Sequence, residues 1–255
     1  MIKVLVNGAL GRMGHTVVQT VLQQKDMELV GAVDKFGKDK TVEGCPVDTD
    51  LVRALETCKP DVVVDFTRPD VVMDNLRIIL NAGVNAVVGT TGFTQENLEE
   101  LKGLAEKNGV GILVCPNFAM GAVLMMKIAA EVAKYFPQVE IIEMHHDKKL
   151  DAPSGTALML ADAINEENDG AYHYVYDRSS VRQKRDPKEI GISSVRGGSI
   201  VGDHEVLFCG PDEVITLKHT AYSRSIFANG AINAAVYLAK KEPGLYDMGD
   251  LIAAL

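Results

Sequence analysis

Three features are scarce in this sequence, and each absence narrows the class of protein. No apolar run approaches the roughly 18 residues that a membrane-spanning helix needs. The four cysteines form no C-x-x-C pair, which disfavours structural zinc and fits a reducing compartment. The formal net charge is −9, whereas nucleic-acid binding needs a positive face. We therefore expect neither nucleic acid nor membrane among the partners.

The N-terminal residues 1–8 also lack the features of a signal peptide. A signal peptide carries an apolar core of about 7–15 residues, whereas here a short apolar run leads straight into a glycine loop. We interpret the run as a buried first strand and expect a cytoplasmic location.

The first half of the chain alternates between two hydrophobic patterns. Apolar runs predict strands at 2–7, 28–34, 61–66, 85–89 and 110–115, and helical spacing predicts helices at 12–25, 70–82 and 94–108. Continuous apolar strands separated by helices indicate a parallel sheet that is covered on both faces. The pattern predicts an α/β domain of the Rossmann type.

The pattern changes after Pro116. Helices are predicted at 121–136 and 154–167, and strands at 139–146, 172–176, 191–195, 205–208 and 214–219. The last four strands have no helices between them, which is typical of an α+β domain with a mixed sheet. We expect a dinucleotide-binding domain from 1–117 plus 228–255, to which a helix at 225–241 returns, and a substrate-binding and oligomerisation domain from 118–227.

A glycine loop, Gly8-Ala9-Leu10-Gly11-Arg12-Met13-Gly14, joins the first strand to the first helix. Glycines permit a close approach of the backbone to a pyrophosphate, and the helix N-terminus offers free N–H donors. The spacing is not the usual G-x-G-x-x-G, so an ordinary turn remains an alternative. Asp34 ends the second strand twenty positions after Gly14, where a carboxylate would bind the adenosine ribose. It favours NADH, and the adjacent Lys35 offsets its repulsion of a 2′-phosphate, so we expect both cofactors to be used with NADH preferred.

A dense polar segment lies in the second half. It places His145 and His146 at a strand end, then Lys149, then Ser154-Gly155-Thr156 at a helix start. Histidine suits general acid catalysis near neutrality, and a lysine beside helix N–H groups suits a carboxylate. Structural histidines and a simple serine N-cap are the alternatives. A metal pair is disfavoured because no further ligands stand at the required spacing.

The sequence resembles the dihydrodipicolinate reductases. The resemblance rests above all on His145-His146-x-x-Lys149-x-Asp151-Ala152-Pro153-Ser154-Gly155-Thr156. Similar to the same family are Gly11-Arg12-Met13-Gly14, Gly89-Thr90-Thr91-Gly92, Pro116-Asn117-Phe118 and Ser223-Arg224-Ser225-x-Phe227-Ala228-x-Gly230-Ala231. The resemblance implies reduction of dihydrodipicolinate (formally 4-hydroxy-tetrahydrodipicolinate, with loss of water) to tetrahydrodipicolinate in lysine and diaminopimelate synthesis. It also implies NADH or NADPH as cofactor and a homotetramer formed through the second-domain sheet.

The resemblance also assigns roles to residues. His145 would be the general acid/base and Lys149 a proton donor, and the substrate carboxylates would be bound by His146, Lys149, Ser154, Gly155 and Thr156. The cofactor would be bound by Gly8, Ala9, Leu10, Gly11, Arg12, Met13, Asp34, Lys35, Gly89, Thr90, Thr91, Cys115, Pro116, Asn117 and Phe118. The family can hold arginine after the strand-two acid to help bind NADP(H), and this chain holds Lys35 there.

Two other functions share the nucleotide-binding half. A different two-domain dehydrogenase would need another constellation in the second domain, and a non-catalytic NAD sensor would not need the histidine–lysine cluster. The loop at 177–188 carries five basic residues. It is either a solvated loop or a mobile segment near an anionic ligand.

Overall fold

Strands and helices alternate through the N-terminal part of the computed structural model, which describes residues 1–255. Short runs rich in valine form the central strands, because β-branched side chains fit a pleated, buried surface. The elements are β1 (Ile2–Asn7), α1 (Arg12–Leu22), β2 (Met27–Val33), β3 (Thr41–Val42), β4 (Cys45–Asp48), α2 (Leu51–Cys58), β5 (Val62–Asp65), α3 (Val72–Asn81), β6 (Asn85–Val88), α4 (Gln95–Asn108) and β7 (Gly111–Val114).

The remainder of the chain begins with a long helix and ends in a short one. Its elements are α5 (Met120–Ala133), β8 (Gln138–His145), α6 (Gly155–Glu166), β9 (His173–Val175), β10 (Glu189–Arg196), β11 (Gly202–Gly210), β12 (Glu213–Ala221), α7 (Ser225–Leu238), β13 (Gly244–Tyr246) and α8 (Met248–Ala253). None of the helices combines the length and apolar character needed to cross a bilayer.

Two compact units divide the chain. Unit 1 comprises Met1–Met120 and Arg224–Leu255. Its eight-stranded sheet has the order β13-β7-β6-β5-β1-β2-β4-β3 and is parallel except at the β3–β4 pair. Helix α7 packs against α1 in this unit. The predicted Rossmann-type sheet is confirmed.

Unit 2 comprises Gly121–Ser223 and is built on a five-stranded sheet of order β12-β11-β8-β10-β9. Strand β8 runs parallel to β10 and antiparallel to β11, so the predicted mixed sheet is confirmed. One face of this sheet forms a core with α5 and α6, in which Ile141, Leu160 and Phe208 are buried.

Five elements of unit 1 are absent from the predictions: β3, β4, α2, β13 and α8. The strands among them have two to four residues, which is too short to show a period. The expected domain boundaries after 117 and 227 lie within a few residues of the divisions after Met120 and Ser223.

Candidate active site

The glycine loop has a geometry that other residues would disturb. Gly8 has φ of +80°, and a Cβ there would lie 2.5 Å from the Phe66 carbonyl oxygen. A Cβ on Gly14 would lie 2.0 Å from the Gly8 carbonyl oxygen. The Gly11 N–H donates to the same oxygen at 3.0 Å. The chain therefore makes a tight turn from β1 into α1, and its backbone is bare of side chains at Gly8 and Gly14.

Asp34, directly after β2, holds this loop. One carboxylate oxygen accepts the Leu10 N–H at 3.1 Å, and the other accepts the Phe36 N–H at 2.9 Å. Gly8, Gly11, Asp34 and the exposed Lys35 line a cavity of about 1050 Å³ in unit 1. Ala9 is fully buried, and its N–H donates to the Val33 carbonyl at 3.1 Å, so this residue shapes the loop from within.

Asp65 ends β5 and is fully buried. Its oxygens accept from Asn7 Nδ2 at 2.7 Å, from Thr67 N and Oγ1 at 3.0 and 2.7 Å, and from Thr90 Oγ1 at 3.3 Å. Asn75 of α3 completes the set. Burial raises the pKa of Asp65, although these hydrogen bonds oppose the rise. One carboxylate thus ties together the ends of β1, β5 and β6.

The loops after β6 and β7 differ in what they expose. Thr91 is exposed, whereas the side chains of Cys115, Asn117 and Phe118 are buried. The Phe118 ring packs 5.9 Å from the Phe66 ring. Burial raises the pKa of the Cys115 thiol to about 11. These side chains belong to the packing of unit 1, and Pro116 is the exposed residue among them.

In unit 2 the buried face of β8 turns from apolar to polar along its length. Val139 and Ile141 are buried in the core, and Glu143 and His145 follow on the same face because strand side chains alternate. The strand ends at His145, so the half-buried His146 lies beyond it. The two histidines therefore have different surroundings.

Glu143 is the centre of a buried ionic network. Arg196 of β10 donates to both carboxylate oxygens, at 2.7 and 2.8 Å. The Ser154 N–H donates to one of them at 3.1 Å. Burial alone would raise the pKa of Glu143, but hydrogen bonds from Arg196, Ser194 and His145 lower it to about 2. Glu143 is therefore ionised at neutral pH.

His145 contacts this network through one ring nitrogen. Its Nδ1 lies 2.6 Å from Glu143 Oε2, and its side chain is 12% exposed. Burial lowers the pKa of His145, and the contact with Glu143 opposes that shift. A Cβ on Gly202 of β11 would lie 3.0 Å from Nε2. The glycine therefore leaves space beside the second ring nitrogen.

Lys149 and the start of α6 follow this strand end. Lys149 Nζ lies 2.9 and 2.8 Å from the two carboxylate oxygens of the largely exposed Asp151. Ser154 caps α6, because its Oγ accepts the Ala157 N–H at 3.2 Å. The space beside Gly155, the first helical residue, is open. The positive end of the helix dipole is thus open beside Gly155, where an anion is favoured.

A second buried histidine completes the site. His204 of β11 lies opposite Glu143 in the sheet, and its Nε2 is 3.0 Å from Ser154 Oγ. Its ring stands edge-on to the His145 ring at 5.3 Å. Burial, together with the nearby His145, lowers the pKa of His204 to about 4. Neutral His204 therefore fixes the serine that caps α6.

Four residues of these two networks were not predicted from the sequence: Asp65, Glu143, Arg196 and His204. A signal for two of them is present, because Glu143 shares the strand period of Val139 and Ile141. His204 likewise alternates with Val206 and Phe208. Arg196 is recognisable only after its register beside His145 is known.

The basic loop at 177–188 is partly tied to the sheet of unit 2. Arg178 pairs with Glu140 and Glu189, and Arg185 pairs with Glu140 at 3.1 Å. These two cations hold the loop against β8 and β10. No group of three His, Cys, Asp or Glu side chains has an arrangement that would hold a metal ion.

Comparisons with known proteins agree across the whole chain. Residues 2–118 match the family model of the dihydrodipicolinate reductase N-terminus, and residues 121–252 match that of its C-terminus. A 4-hydroxy-tetrahydrodipicolinate reductase of Methanosarcina barkeri is 44% identical over 99% of both chains. One of Listeria welshimeri is 42% identical over 98% of this chain and 99% of its own.

A solved structure is also similar. It is the dipicolinate-bound dihydrodipicolinate reductase of Paenisporosarcina sp. TG-14, with a TM-score of 0.84 and 38% identity over 97% of each chain. Both halves of the chain, and so both sites described above, fall within these matches. The chain therefore belongs to the dihydrodipicolinate reductase family and is an oxidoreductase.

Proposed function

We propose that the chain reduces 4-hydroxy-tetrahydrodipicolinate, with loss of water, to tetrahydrodipicolinate in lysine and diaminopimelate synthesis. The observation that carries the proposal is the grouping of His145, its partner Glu143, Lys149 and the open start of α6 in one unit. The relatives that bear this name match the chain over nearly its whole length.

A nicotinamide cofactor fits unit 1, and when bound it supplies the hydride. The bare backbone at Gly8 and Gly14 suits a pyrophosphate, and Arg12 and Met13 begin the helix that follows. We assign the cofactor to the fifteen residues named from the resemblance, among which the buried Cys115, Asn117 and Phe118 shape the loop that carries the exposed Pro116. Asp34 favours NADH, and Lys35 permits NADPH. Measured values of kcat/KM for the two cofactors test this preference, and a large preference for NADPH would contradict it.

A small dicarboxylate fits the polar end of unit 2. We assign its carboxylates to His146, Lys149, Ser154, Gly155 and Thr156, because a cation and helix N–H groups together bind an anion. The structural relative was solved with dipicolinate, a dicarboxylate, which supports this class of ligand. Lys149 would have to exchange part of its contact with Asp151 for the substrate.

His145 supplies the proton in this proposal. Hydride addition to the conjugated ring leaves an enamine-like anion, and an acid must protonate the neighbouring carbon. His145 sits at the end of β8 with one ring nitrogen held and space beside the other. Lys149, three residues beyond His146, acts as the second proton donor.

We also propose a homotetramer that assembles through the sheet of unit 2. Strand β12 lies at an edge of that sheet, and most of its residues are exposed. An exposed edge or face of this kind is available to another copy. Light scattering would give the mass of the assembly, and a monomer at working concentration would contradict the proposal.

The test of the reaction is a coupled assay. A synthase reaction generates the unstable substrate in situ, and loss of NADH absorbance is followed with and without this protein. We expect oxidation of NADH only when all components are present. Tight NADH binding without turnover would favour a sensor, and turnover of other amino acids or polyols instead would favour a different dehydrogenase.

A further inference from the structure

Both carboxylate oxygens of Glu143 accept hydrogen bonds, and this pattern determines which atom donates in the contact with His145. One oxygen, Oε1, accepts from Arg196 and from the Ser154 N–H, and Oε2 accepts from Arg196 and faces His145 Nδ1 at 2.6 Å. A carboxylate held by a bidentate arginine has no proton to donate. The Nδ1 atom of His145 must therefore be the donor in this contact.

We infer that Glu143, held by Arg196, is a positioning residue that keeps the proton of neutral His145 on Nδ1. Nε2 is then the atom that takes up a proton from solvent and, in the imidazolium form, delivers it to the substrate. The inference rests on the proposed role of His145. Beyond that role, it specifies the tautomer and the orientation of the His145 ring and gives a function to Glu143 and Arg196, to which the sequence assigned none.

The surroundings of Nε2 agree with this assignment. Gly202 of β11 is close to this atom, and any larger residue there would bring a Cβ to 3.0 Å from Nε2. The His204 ring lies 5.3 Å from the His145 ring in a T-shaped arrangement, and its own Nε2 is engaged with Ser154. The Nδ1 atom is thus fixed by an ionic network, and the absence of a side chain at Gly202 leaves room beside Nε2.

The charged groups around His145 set its titration. Glu143 on the same strand raises the pKa of His145, whereas Lys149 in the following loop and Arg196 on β10 lower it, and burial lowers it most. His204 on β11 faces the ring, and Asp151 pairs with Lys149. Removing the charge of Glu143 leaves the lowering influences unopposed, so the pKa of His145 must fall further.

The direct test is spectroscopic and observes the ring in the wild-type protein. Two-bond ¹H–¹⁵N correlation spectra of ¹⁵N-histidine-labelled protein at neutral pH distinguish the tautomers, and His145→Gln identifies the His145 signal. We expect the neutral ring to be protonated on Nδ1. A ring protonated on Nε2 overturns the inference, whatever the outcome for the proposed reaction.

The kinetic test compares two glutamates of one strand. In Glu143→Gln we expect kcat to fall by at least about tenfold and the limb of the pH profile that belongs to His145 to move to lower pH. Glu140→Gln is the matched control, because Glu140 pairs with Arg178 and Arg185 and has no contact with His145. We expect it to leave the pH profile unchanged. A wild-type profile and wild-type kcat in Glu143→Gln would overturn the inference.

Discussion

Each unit contains a fully buried carboxylate in its main sheet, and the two behave in opposite ways. Asp65 in unit 1 is surrounded by neutral donors, and burial raises its pKa. Glu143 in unit 2 is paired with Arg196, and its pKa falls to about 2 despite burial. Burial alone therefore does not decide the charge of such a group; the charge of its partners does.

The difference matches the work that we assign to each unit. Asp65 joins strand ends whose loops hold the cofactor residues, which is a task of geometry that neutral partners can perform. Glu143 contacts the proposed acid, His145, and its charge changes how that ring titrates. A carboxylate with neutral partners holds the backbone in place, whereas a carboxylate with a charged partner changes the pKa of a reacting group.

The largest effect should be that of His145→Gln, which should affect catalysis in unit 2 and leave cofactor binding in unit 1 intact. We expect kcat to fall by about 10²- to 10⁴-fold, because the general acid is lost. The dissociation constant of NADH should be unchanged, since every residue assigned to the cofactor lies in unit 1. Steady-state kinetics and titration calorimetry separate the two quantities. Normal turnover with weak NADH binding in this variant would contradict the assignment of catalysis to unit 2 and of cofactor binding to unit 1.

The next largest effect should come from removing the cation that balances Glu143. Arg196→Met leaves a buried carboxylate without its partner, which costs about 3 kcal/mol of the free energy of unfolding. Lys134→Met, directly after α5, is the control, because it breaks only surface pairs with Glu131 and Glu167. Urea unfolding followed by circular dichroism measures both. Equal midpoints for the two variants would mean that Glu143 is balanced by another group.

Acid pH distinguishes the two carboxylates directly. The pKa of folded Glu143 is about 2, against an ordinary value of 4.5, so its stabilising charge is fully present above pH 4.5 and is lost as pH falls toward 2. The stability difference between wild type and Glu143→Gln should therefore narrow over that range. The pKa of Asp65 is raised in the folded state, so protonation of this group stabilises the fold. The stability of the wild type relative to Asp65→Asn should therefore increase as pH falls. Melting temperatures from pH 6 to 3 measure both trends, and parallel curves would contradict the opposite shifts.

Long periodic elements were predictable from the sequence, and cross-strand partners were not. The period of two in β8 fixes which face Glu143 and His145 share, yet their partner Arg196 follows about fifty residues later in a strand whose register the sequence does not define. The helix predicted at 94–108 begins with a capping box between Thr94 and Asn97, a local pattern within one turn. The role of Asp65 was not predicted, because its four partners come from four segments of the chain. Each partner is an ordinary residue near a strand end or a helix start.

The smallest effect should be that of Asp65→Asn. The asparagine oxygen can still accept from Thr67 and Thr90, and Asn7 can rotate its amide so that its own oxygen accepts from the new NH₂ group. We therefore expect a loss of stability of only about 1 kcal/mol. Because Asn7 directly precedes Gly8, the same rearrangement should raise the KM for NADH by roughly fivefold while kcat stays near wild type. Asp74→Asn, which changes an exposed carboxylate paired with Arg77, serves as the control. If Asp65→Asn instead abolished turnover at saturating NADH, Asp65 would have a chemical role like that of Glu143, and the contrast between the two buried carboxylates would fail.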